Sequence, residues 1–211
     1  MTLKAEQIII GLNRNCSYLL HTEAGSDVII IDPNKFDPIE EALNKLGKNP
    51  VAIWLTHSHP DHTAAIPEFS AKYNIPVYCY PLAAERISDL AKAGLKTVKE
   101  GDLLNIEKLS AEILFTPGHR DDSICFYFKN QGILFTGDTL FCEGCGRTDL
   151  EGSDINLMYE SLQRLKQLPS KTQIYPGHHY GSQPVSTIEH ELANNKYLFA
   201  KDFAEFKSRR A

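Results

Sequence analysis

A seven-residue segment, 56–62, constrains the fold more than any other part of the chain. It reads Thr-His-Ser-His-Pro-Asp-His and holds three histidines and one aspartate. It follows an apolar run, residues 51–55, that is typical of a buried strand, so these side chains lie on the loop at the end of the strand. Neutral imidazoles and a carboxylate are ligands for zinc, iron or manganese. A polar turn with surface histidines is the simpler alternative, but three histidines around one aspartate argue against it.

Three later segments repeat this arrangement of a strand followed by a polar loop. Each has a glycine directly before a potential ligand, which lets the backbone turn tightly toward a common centre. The ligands are His119 and His178, each after Pro-Gly, and Asp138 after Thr-Gly. Six of the eight histidines lie in the four loops. A single Gly-His or Gly-Asp pair is usually a turn, but four strand ends of one design predict a shared metal site.

Composition limits the class of partner. The 211 residues are 42% hydrophobic and 23% charged, with a net charge of −5, as in an ordinary soluble protein. The acidic balance argues against a nucleic-acid or anionic-membrane partner, which would favour clustered Lys and Arg. No segment approaches the roughly 18 apolar residues of a membrane span. We therefore expect a small-molecule substrate, one domain over 1–211 with a short helical segment at 186–208, and a monomer or homodimer.

The cysteines favour a reducing compartment. There are five, an odd number, and they are scattered along the chain. The first seven residues lack the charged-then-apolar order of a signal peptide. We expect reduced thiols in a cytoplasmic protein rather than a disulfide framework.

The predicted elements form two β-rich halves flanked by helices. An antiparallel meander opens the chain, an α/β unit follows it, and a second β-rich stretch contains a hairpin. Strands are predicted at 6–12, 16–21, 27–32, 51–55, 76–80, 103–106, 111–116, 123–129, 133–136 and 173–175. Helices are predicted at 37–46, 63–73, 83–93, 154–168, 186–195 and 199–207.

The four loops together carry a family resemblance. Thr-His-Ser-His-Pro-Asp-His, Pro-Gly-His, Thr-Gly-Asp-Thr-Leu-Phe and Pro-Gly-His, in this order, resemble the metallo-β-lactamase superfamily of metallohydrolases over nearly the whole chain. The resemblance implies an α/β fold, a four-layer αββα sandwich with two divalent metal ions at one edge of the sheets. Zinc is the expected metal, with iron or manganese as alternatives. The implied ligands are His57, His59 and His119 for one metal, Asp61, His62 and His178 for the other, and Asp138 bridging both.

Such a ligand set suits hydrolysis. Two cations about 3.5–4 Å apart can share a bridging water and lower its pKa to near neutrality, giving a hydroxide that attacks a carbonyl. Asp61 and Asp138 are therefore predicted to be catalytic as well as metal-binding, because their charges offset those of the metals in a buried site. His179 has no matching role in the family pattern, and we expect it to be a supporting or surface residue.

The segment 141–149 narrows the choice within the superfamily. It reads Phe-Cys-Glu-Gly-Cys-Gly-Arg-Thr-Asp and is similar to loops of glyoxalase II, the hydroxyacylglutathione hydrolases, and of the persulfide dioxygenases. The first similarity implies a thioesterase acting on S-acyl-glutathione-like substrates. The second implies one iron on His57, His119 and Asp138 and oxidation of glutathione persulfide. Thr148-Asp149 and the absence of a longer C-terminal helical domain depart from the fuller glyoxalase II pattern.

Two further features of this segment have open interpretations. Arg147 could bind a substrate carboxylate through two parallel hydrogen bonds, or it could pair on the surface with Asp149 or Glu151. Cys142 and Cys145 have the spacing of a redox pair, but they lie in a glycine-rich loop after a strand. We expect a structural role for these two thiols.

Overall fold

The computed structural model describes residues 2–210 and contains two six-stranded sheets. In the first sheet the strands stand in sequence order, β1 to β2 to β3 antiparallel and β3 to β6 parallel. Its strands are β1 (Leu3–Ile10), β2 (Asn15–Thr22), β3 (Asp27–Ile31), β4 (Asn49–Trp54), β5 (Val77–Cys79) and β6 (Leu95–Thr97). The predicted opening meander is confirmed.

The second sheet has the order β12-β11-β10-β9-β8-β7. All its neighbours are antiparallel except β10 and β11, which are parallel. Its strands are β7 (Leu103–Ile106), β8 (Leu109–Phe115), β9 (Ile124–Phe128), β10 (Ile133–Gly137), β11 (Gln173–Pro176) and β12 (Ser186–Thr187). The predicted hairpin of β9 and β10 is present.

Helices cover the outer face of each sheet. They are α1 (Phe36–Leu46), α2 (Pro60–Thr63), α3 (Ile66–Tyr73), α4 (Pro81–Arg86), α5 (Ile155–Leu165), α6 (Ile188–Asn194) and α7 (Phe203–Ser208). Three hydrophobic clusters fill the spaces between the four layers. One lies between the sheets and includes Trp54 and Phe126, one joins the first sheet to α1, α3 and α4, and one joins the second sheet to α5, α6 and α7. The chain is the predicted four-layer αββα sandwich.

Several predicted boundaries are wrong, each for a local reason. The helix predicted over 63–73 begins at Ile66, and residue 63 instead ends the separate helix α2, because Pro67 cannot donate the hydrogen bond that a continuous helix requires. The helix predicted over 83–93 ends at Arg86, before the poor helix formers Ile87, Ser88 and Asp89, and β6 was missed. The last helix begins near residue 203 rather than 199, where Asp202 caps it by accepting from the backbone N–H of Glu205 at 2.9 Å.

The sheet topology brings the ligand loops to one edge. β3 and β4 are parallel, so the loops that follow them leave the first sheet on the same side. In the second sheet β10 is parallel to β11, and β8 also runs parallel to β10 because each is antiparallel to β9. The loops after β8, β10 and β11 therefore leave the second sheet together.

Candidate metal centre

The first three predicted ligands meet at one point. His59 Nδ1 lies 3.0 Å from His57 Nε2 and 2.9 Å from His119 Nε2. Four tetrahedral ligands at the usual zinc–nitrogen distance of about 2.0–2.1 Å stand roughly 3.3 Å apart, so these nitrogens have the spacing of a coordination shell. His59 comes from the loop after β4 and His119 from the loop after β8, so both sheets contribute to this site.

The second predicted set lies beside it. His178 Nε2 is 3.3 Å from His62 Nε2 and 3.5 Å from Asp61 Oδ2. The short helix α2, which follows β4, supplies His62 and Asp61, and the loop after β11 supplies His178. Each of the two sets forms a group whose ligand atoms all lie within 4.8 Å of one another.

Asp138 joins the two sets. Its Oδ2 lies 3.4 Å from His119 Nε2 and 3.3 Å from His178 Nε2, and its Oδ1 lies 3.4 Å from His62 Nε2. The carboxylate is buried, and Oδ1 has no hydrogen-bond partner within the described chain. A buried carboxylate oxygen without a donor fits a bridging metal ligand, so the donor set suits two divalent cations.

Most of these imidazoles are oriented by a hydrogen bond at the other ring nitrogen. His62 Nδ1 bonds to Asp32 Oδ2 at 2.9 Å, and His57 Nδ1 lies 3.0 Å from Thr56 Oγ1, which donates to the same aspartate. Such contacts fix the tautomer and direct Nε2 toward the centre of the ligand group, as in known metal sites. The second sheet uses backbone acceptors instead. His119 Nδ1 donates to the carbonyl of Arg147 at 2.9 Å and His178 Nδ1 to that of Asn13 at 2.8 Å.

Asp32 is the supporting residue that the sequence prediction missed. It lies directly after β3, its side chain is buried, and it also accepts the backbone N–H of Thr56 at 2.8 Å. Its φ of 50° is rare for a residue other than glycine, although aspartate is among those that adopt it. Asp32, His57 and His62 form a third group with metal-ligand spacing. Because its carboxylate is already engaged by Thr56 and His62, it serves as a support. The sequence signal for Asp32 was only an aspartate at the end of an apolar strand.

Asp122 supports the same ligand loop from the opposite side. It is fully buried and accepts from the hydroxyl of Ser58 and, at 3.3 Å, from its backbone N–H. Arg86 of α4 donates to it at 2.7 Å and also donates to Asp121 from both terminal guanidinium nitrogens, Nη1 and Nη2. Since Ser58 stands between His57 and His59, Asp122 holds the ligand loop in place.

Burial and charge set the protonation of the centre. Burial, with smaller effects from neighbouring imidazoles, lowers the pKa of His59 to about 4 and that of His57 well below its usual value. Both rings are therefore neutral, as metal ligands must be. Burial opposes the pKa shifts of His62 and Asp138, but the attraction between the imidazole and the nearby carboxylates has the larger effect. Asp138 and Asp32 raise the pKa of His62 to about 9, and His62 and His178 hold the pKa of Asp138 well below its usual range.

The ligands border a cavity of about 520 Å³. His57 and His62 lie behind its surface, and the other five ligands line it. The remaining walls come from the 141–150 segment, Tyr180 and the 196–197 pair. Tyr180 stacks on His178 with 4.7 Å between ring centroids. An aromatic and apolar chamber that opens onto a metal centre is suited to a small organic substrate.

Glycine is required where the ligand loops approach each other. A Cβ added to Gly177 would lie 2.2 Å from Asp138 Oδ1, so any larger residue would displace the Asp138 carboxylate. Gly118 has a φ of 143°, and a Cβ there would lie 2.3 Å from the backbone of Met158. These two positions agree with the predicted tight turns before His178 and His119.

Arg147 lies in the cavity wall, but its guanidinium is already engaged. Nε and Nη2 each donate to a carboxylate oxygen of Asp149 at 2.7 Å. Cys142 is buried, and the thiol of Cys145 accepts a hydrogen bond from Arg210 at 2.8 Å. All five cysteines are free thiols. His179, as expected, lies outside the ligand groups and contacts Arg14 at 2.7 Å.

Comparison with known proteins identifies the family. The model of the Metallo-beta-lactamase superfamily matches residues 11–178. The chain belongs to this superfamily. A curated relative of this superfamily member, the hydroxyacylglutathione hydrolase of Francisella tularensis subsp. novicida (strain U112), is 39% identical over 186 residues. These cover 88% of this chain and 71% of the relative.

Solved structures place this superfamily member among proteins of the same fold. ETHE1 from Myxococcus xanthus matches with a TM-score of 0.84 and 29% identity, over 96% of this chain and 88% of that one. TTHA1623, solved in a di-iron-bound form, matches with a TM-score of 0.75 and 29% identity, over 90% of this chain and 98% of that one. This superfamily member is an enzyme, and none of its helices within residues 2–210 is long and apolar enough to cross a membrane.

Proposed function

We propose that this enzyme is a metal-dependent thioesterase of the glyoxalase II type, which hydrolyses S-acyl conjugates of glutathione or a related small thiol. The observation that carries the proposal is the convergence of seven ligand side chains from both sheets on one cavity. The relative named hydroxyacylglutathione hydrolase, 39% identical over 88% of the chain, supports this choice of substrate.

The residues of the centre divide between two cations. His57, His59 and His119 would hold the first, Asp61, His62 and His178 the second, and Asp138 would bridge them. Zinc fits this mixture of nitrogen and oxygen donors, and iron or manganese fits it as well. When bound, such ions supply Lewis acidity and lower the pKa of a water molecule.

Asp61 is placed to handle the proton of the attacking water. Its side chain is 37% exposed, more than any of the buried ligands, and it lines the cavity. The Asn15 amide donates to Asp61 Oδ2 at 2.9 Å, and the Asn34 amide donates to its backbone carbonyl at 2.6 Å. These bonds fix the carboxylate, so that one oxygen can face the cavity and accept a proton.

The bonds and protons of the proposed hydrolysis balance without any further reactant. The oxygen of water forms a bond to the acyl carbon, and the carbon–sulfur bond breaks, with its electron pair leaving on sulfur. One proton of the water passes through Asp61 to that sulfur, so a carboxylic acid and a free thiol are produced. Phe141 and Tyr180, which face each other edge to face at 5.3 Å, form an apolar wall that limits the entry of bulk water.

A second candidate is the oxidation of a thiol persulfide by one iron. The structural similarity to ETHE1 keeps it in consideration, as does the Arg147-Thr148-Asp149 sequence. In this case His57, His119 and Asp138 would hold the iron, and the second ligand set would carry no metal.

One experiment separates the two candidates. The purified protein is analysed for zinc, iron and manganese and is then assayed in parallel on S-lactoylglutathione and on glutathione persulfide. Two metal ions per chain with release of free thiol is the expected result. One iron per chain with oxygen uptake on the persulfide, and no thioester cleavage, would replace the proposal with the second candidate.

A further inference from the structure

We infer that Lys196, rather than Arg147, supplies the positive charge that recognises a carboxylate on the thiol carrier of the substrate. The inference rests on the proposed function, since it assumes that a thiol carrier enters the cavity. Lys196 would determine substrate specificity, and it lies outside both the predicted metal ligands and the glycine-rich 141–149 segment. Two observations lead to it: the state of the Arg147 guanidinium, and the position of residues 195–197.

The charge of Arg147 is already neutralised in the structure. Both oxygens of Asp149 accept from its guanidinium, which is the geometry that a substrate carboxylate would need. Binding a substrate carboxylate there would require this pair to break first. Arg147 is therefore less available to a ligand than a cation without a carboxylate partner.

Lys196 lines the same cavity and has no such partner. No carboxylate of residues 2–210 lies within 4.0 Å of its ammonium group, which instead stands 4.9 Å from the centroid of the Tyr197 ring. Arg147 and Lys196 are the two cations of the cavity wall within the described chain. In a chain of net charge −5, an unpaired ammonium at a cavity wall attracts an anionic ligand.

The backbone at Lys196 is held firmly, so the side chain starts from a fixed point at the cavity wall. Asn195 is fully buried, donates to the carbonyl of Gly144 at 3.0 Å and to Glu191 at 2.8 Å, and accepts from the N–H of Tyr197 at 3.1 Å. Arg209 donates to the carbonyl of Lys196 itself. These contacts join residues 195–197 to the glycine-rich loop of the cavity wall, which reduces the cost of ordering the site on binding.

The acidic neighbours do not cancel this charge. Glu143, which also lines the cavity, is engaged by the Ser182 hydroxyl at 2.6 Å and faces His190 at 3.3 Å. Asp61 and Asp138 belong to the metal centre. The cavity thus has metal ligands on one wall and a free cation on another. A small thiol whose carboxylate lies apart from its sulfur matches this arrangement, and glutathione is such a thiol.

The test measures binding rather than turnover. Glutathione and its glycyl monoethyl ester are titrated by calorimetry into the zinc-loaded protein and into Lys196→Met, with Lys129→Met as a matched control. Lys129 is an exposed lysine in the turn between β9 and β10, outside the cavity. We expect Lys196→Met to weaken glutathione binding about fivefold and to leave binding of the ester unchanged. Lys129→Met should alter neither, and Lys196→Arg should restore affinity.

Three results would overturn the inference. The first is that Lys196→Met loses affinity for glutathione and for the ester equally. The second is that this variant loses no affinity for glutathione, and the third is that the wild type does not bind glutathione. Arg147→Met is measured beside it, and a loss confined to that variant would return the role to Arg147. Circular dichroism and thermal unfolding confirm that each variant is folded. A wild type that binds glutathione in this charge-dependent way, but does not cleave S-lactoylglutathione, would contradict the proposed function while leaving the inference intact.

Discussion

The two sheets support their metal ligands by different means. In the first sheet the rings of His57 and His62 depend on a single side chain, Asp32, one of them through Thr56. In the second sheet His119 and His178 donate to backbone carbonyls of distant loops. Side-chain support can be removed by one substitution away from the metals, whereas carbonyl support is lost only when a loop moves. We therefore expect the first half of the centre to be the more fragile under mutation.

The largest effect should follow loss of a ligand from either sheet. His59→Ala and Asp138→Ala each remove a donor from the centre, so bound metal should fall and turnover should drop by about 10³-fold or more. Inductively coupled plasma analysis and thioester assays measure the two effects. Asp138→Ala should lower both metals because it bridges the sets, while His59→Ala should lower one. A folded variant with full metal content would refute the ligand assignment.

The next largest effect should come from Asp122, which holds the ligand loop of the first sheet. Asp122→Asn removes the negative charge beside Arg86 and leaves one acceptor oxygen in place of two for the donors of Ser58 and Arg86. We expect the free energy of unfolding to fall by about 2–3 kcal/mol, measured by urea denaturation of the metal-free protein. Asp121→Asn is the matched control, because Asp121 binds the same arginine from the surface and should cost less than about 1 kcal/mol.

Asp32→Asn directly tests whether side-chain support in the first sheet is more easily lost than carbonyl support in the second. The substitution keeps the shape and tolerates the left-handed backbone, but it removes the charge that supports His62 and, through Thr56, His57. Zinc affinity, measured by competition with a chromophoric chelator, should fall about 10- to 100-fold.

Arg147→Ala is the corresponding test in the second sheet. His119 is bound to the backbone carbonyl of Arg147, which the substitution retains, so zinc affinity should stay within about twofold of the wild type. Equal losses of zinc affinity in Asp32→Asn and Arg147→Ala would show that side-chain and carbonyl support do not differ.

The smallest effect concerns a carboxylate away from the metals. Burial opposes ionisation of Glu40, but Lys72 and Tyr73 outweigh it and lower its pKa. A carboxyl with a lowered folded pKa adds stability above its unfolded pKa of about 4.3, and this stability is lost as pH falls through the folded pKa. Glu40→Gln should cost about 1 kcal/mol or less at pH 7 and progressively less as the pH falls below the unfolded pKa, measured by urea denaturation over this pH range.

The sequence was most informative where chemistry and pattern coincide. The strand ends before His57, His119, Asp138 and His178 were evident because apolar runs meet polar loops, and the sandwich was correctly inferred. Asp32 was missed because its role depends on β3 lying beside β4, which is a tertiary contact. The pairing of Arg147 with Asp149 was one of two open readings, since both residues are exposed and no local pattern favours either partner. Lys196 gave no sequence signal at all, because it reaches the cavity only through the fold of residues 195–210.

The order of the site along the chain has a consequence for biosynthesis. All seven predicted metal ligands lie between residues 57 and 178, whereas Lys196, Tyr197 and Arg210, which line or contact the cavity wall, come later in the sequence. Because chains emerge from the ribosome N-terminus first, the ligand loops are translated before the far wall. The cavity therefore cannot be complete until residues 196–210 have been synthesised.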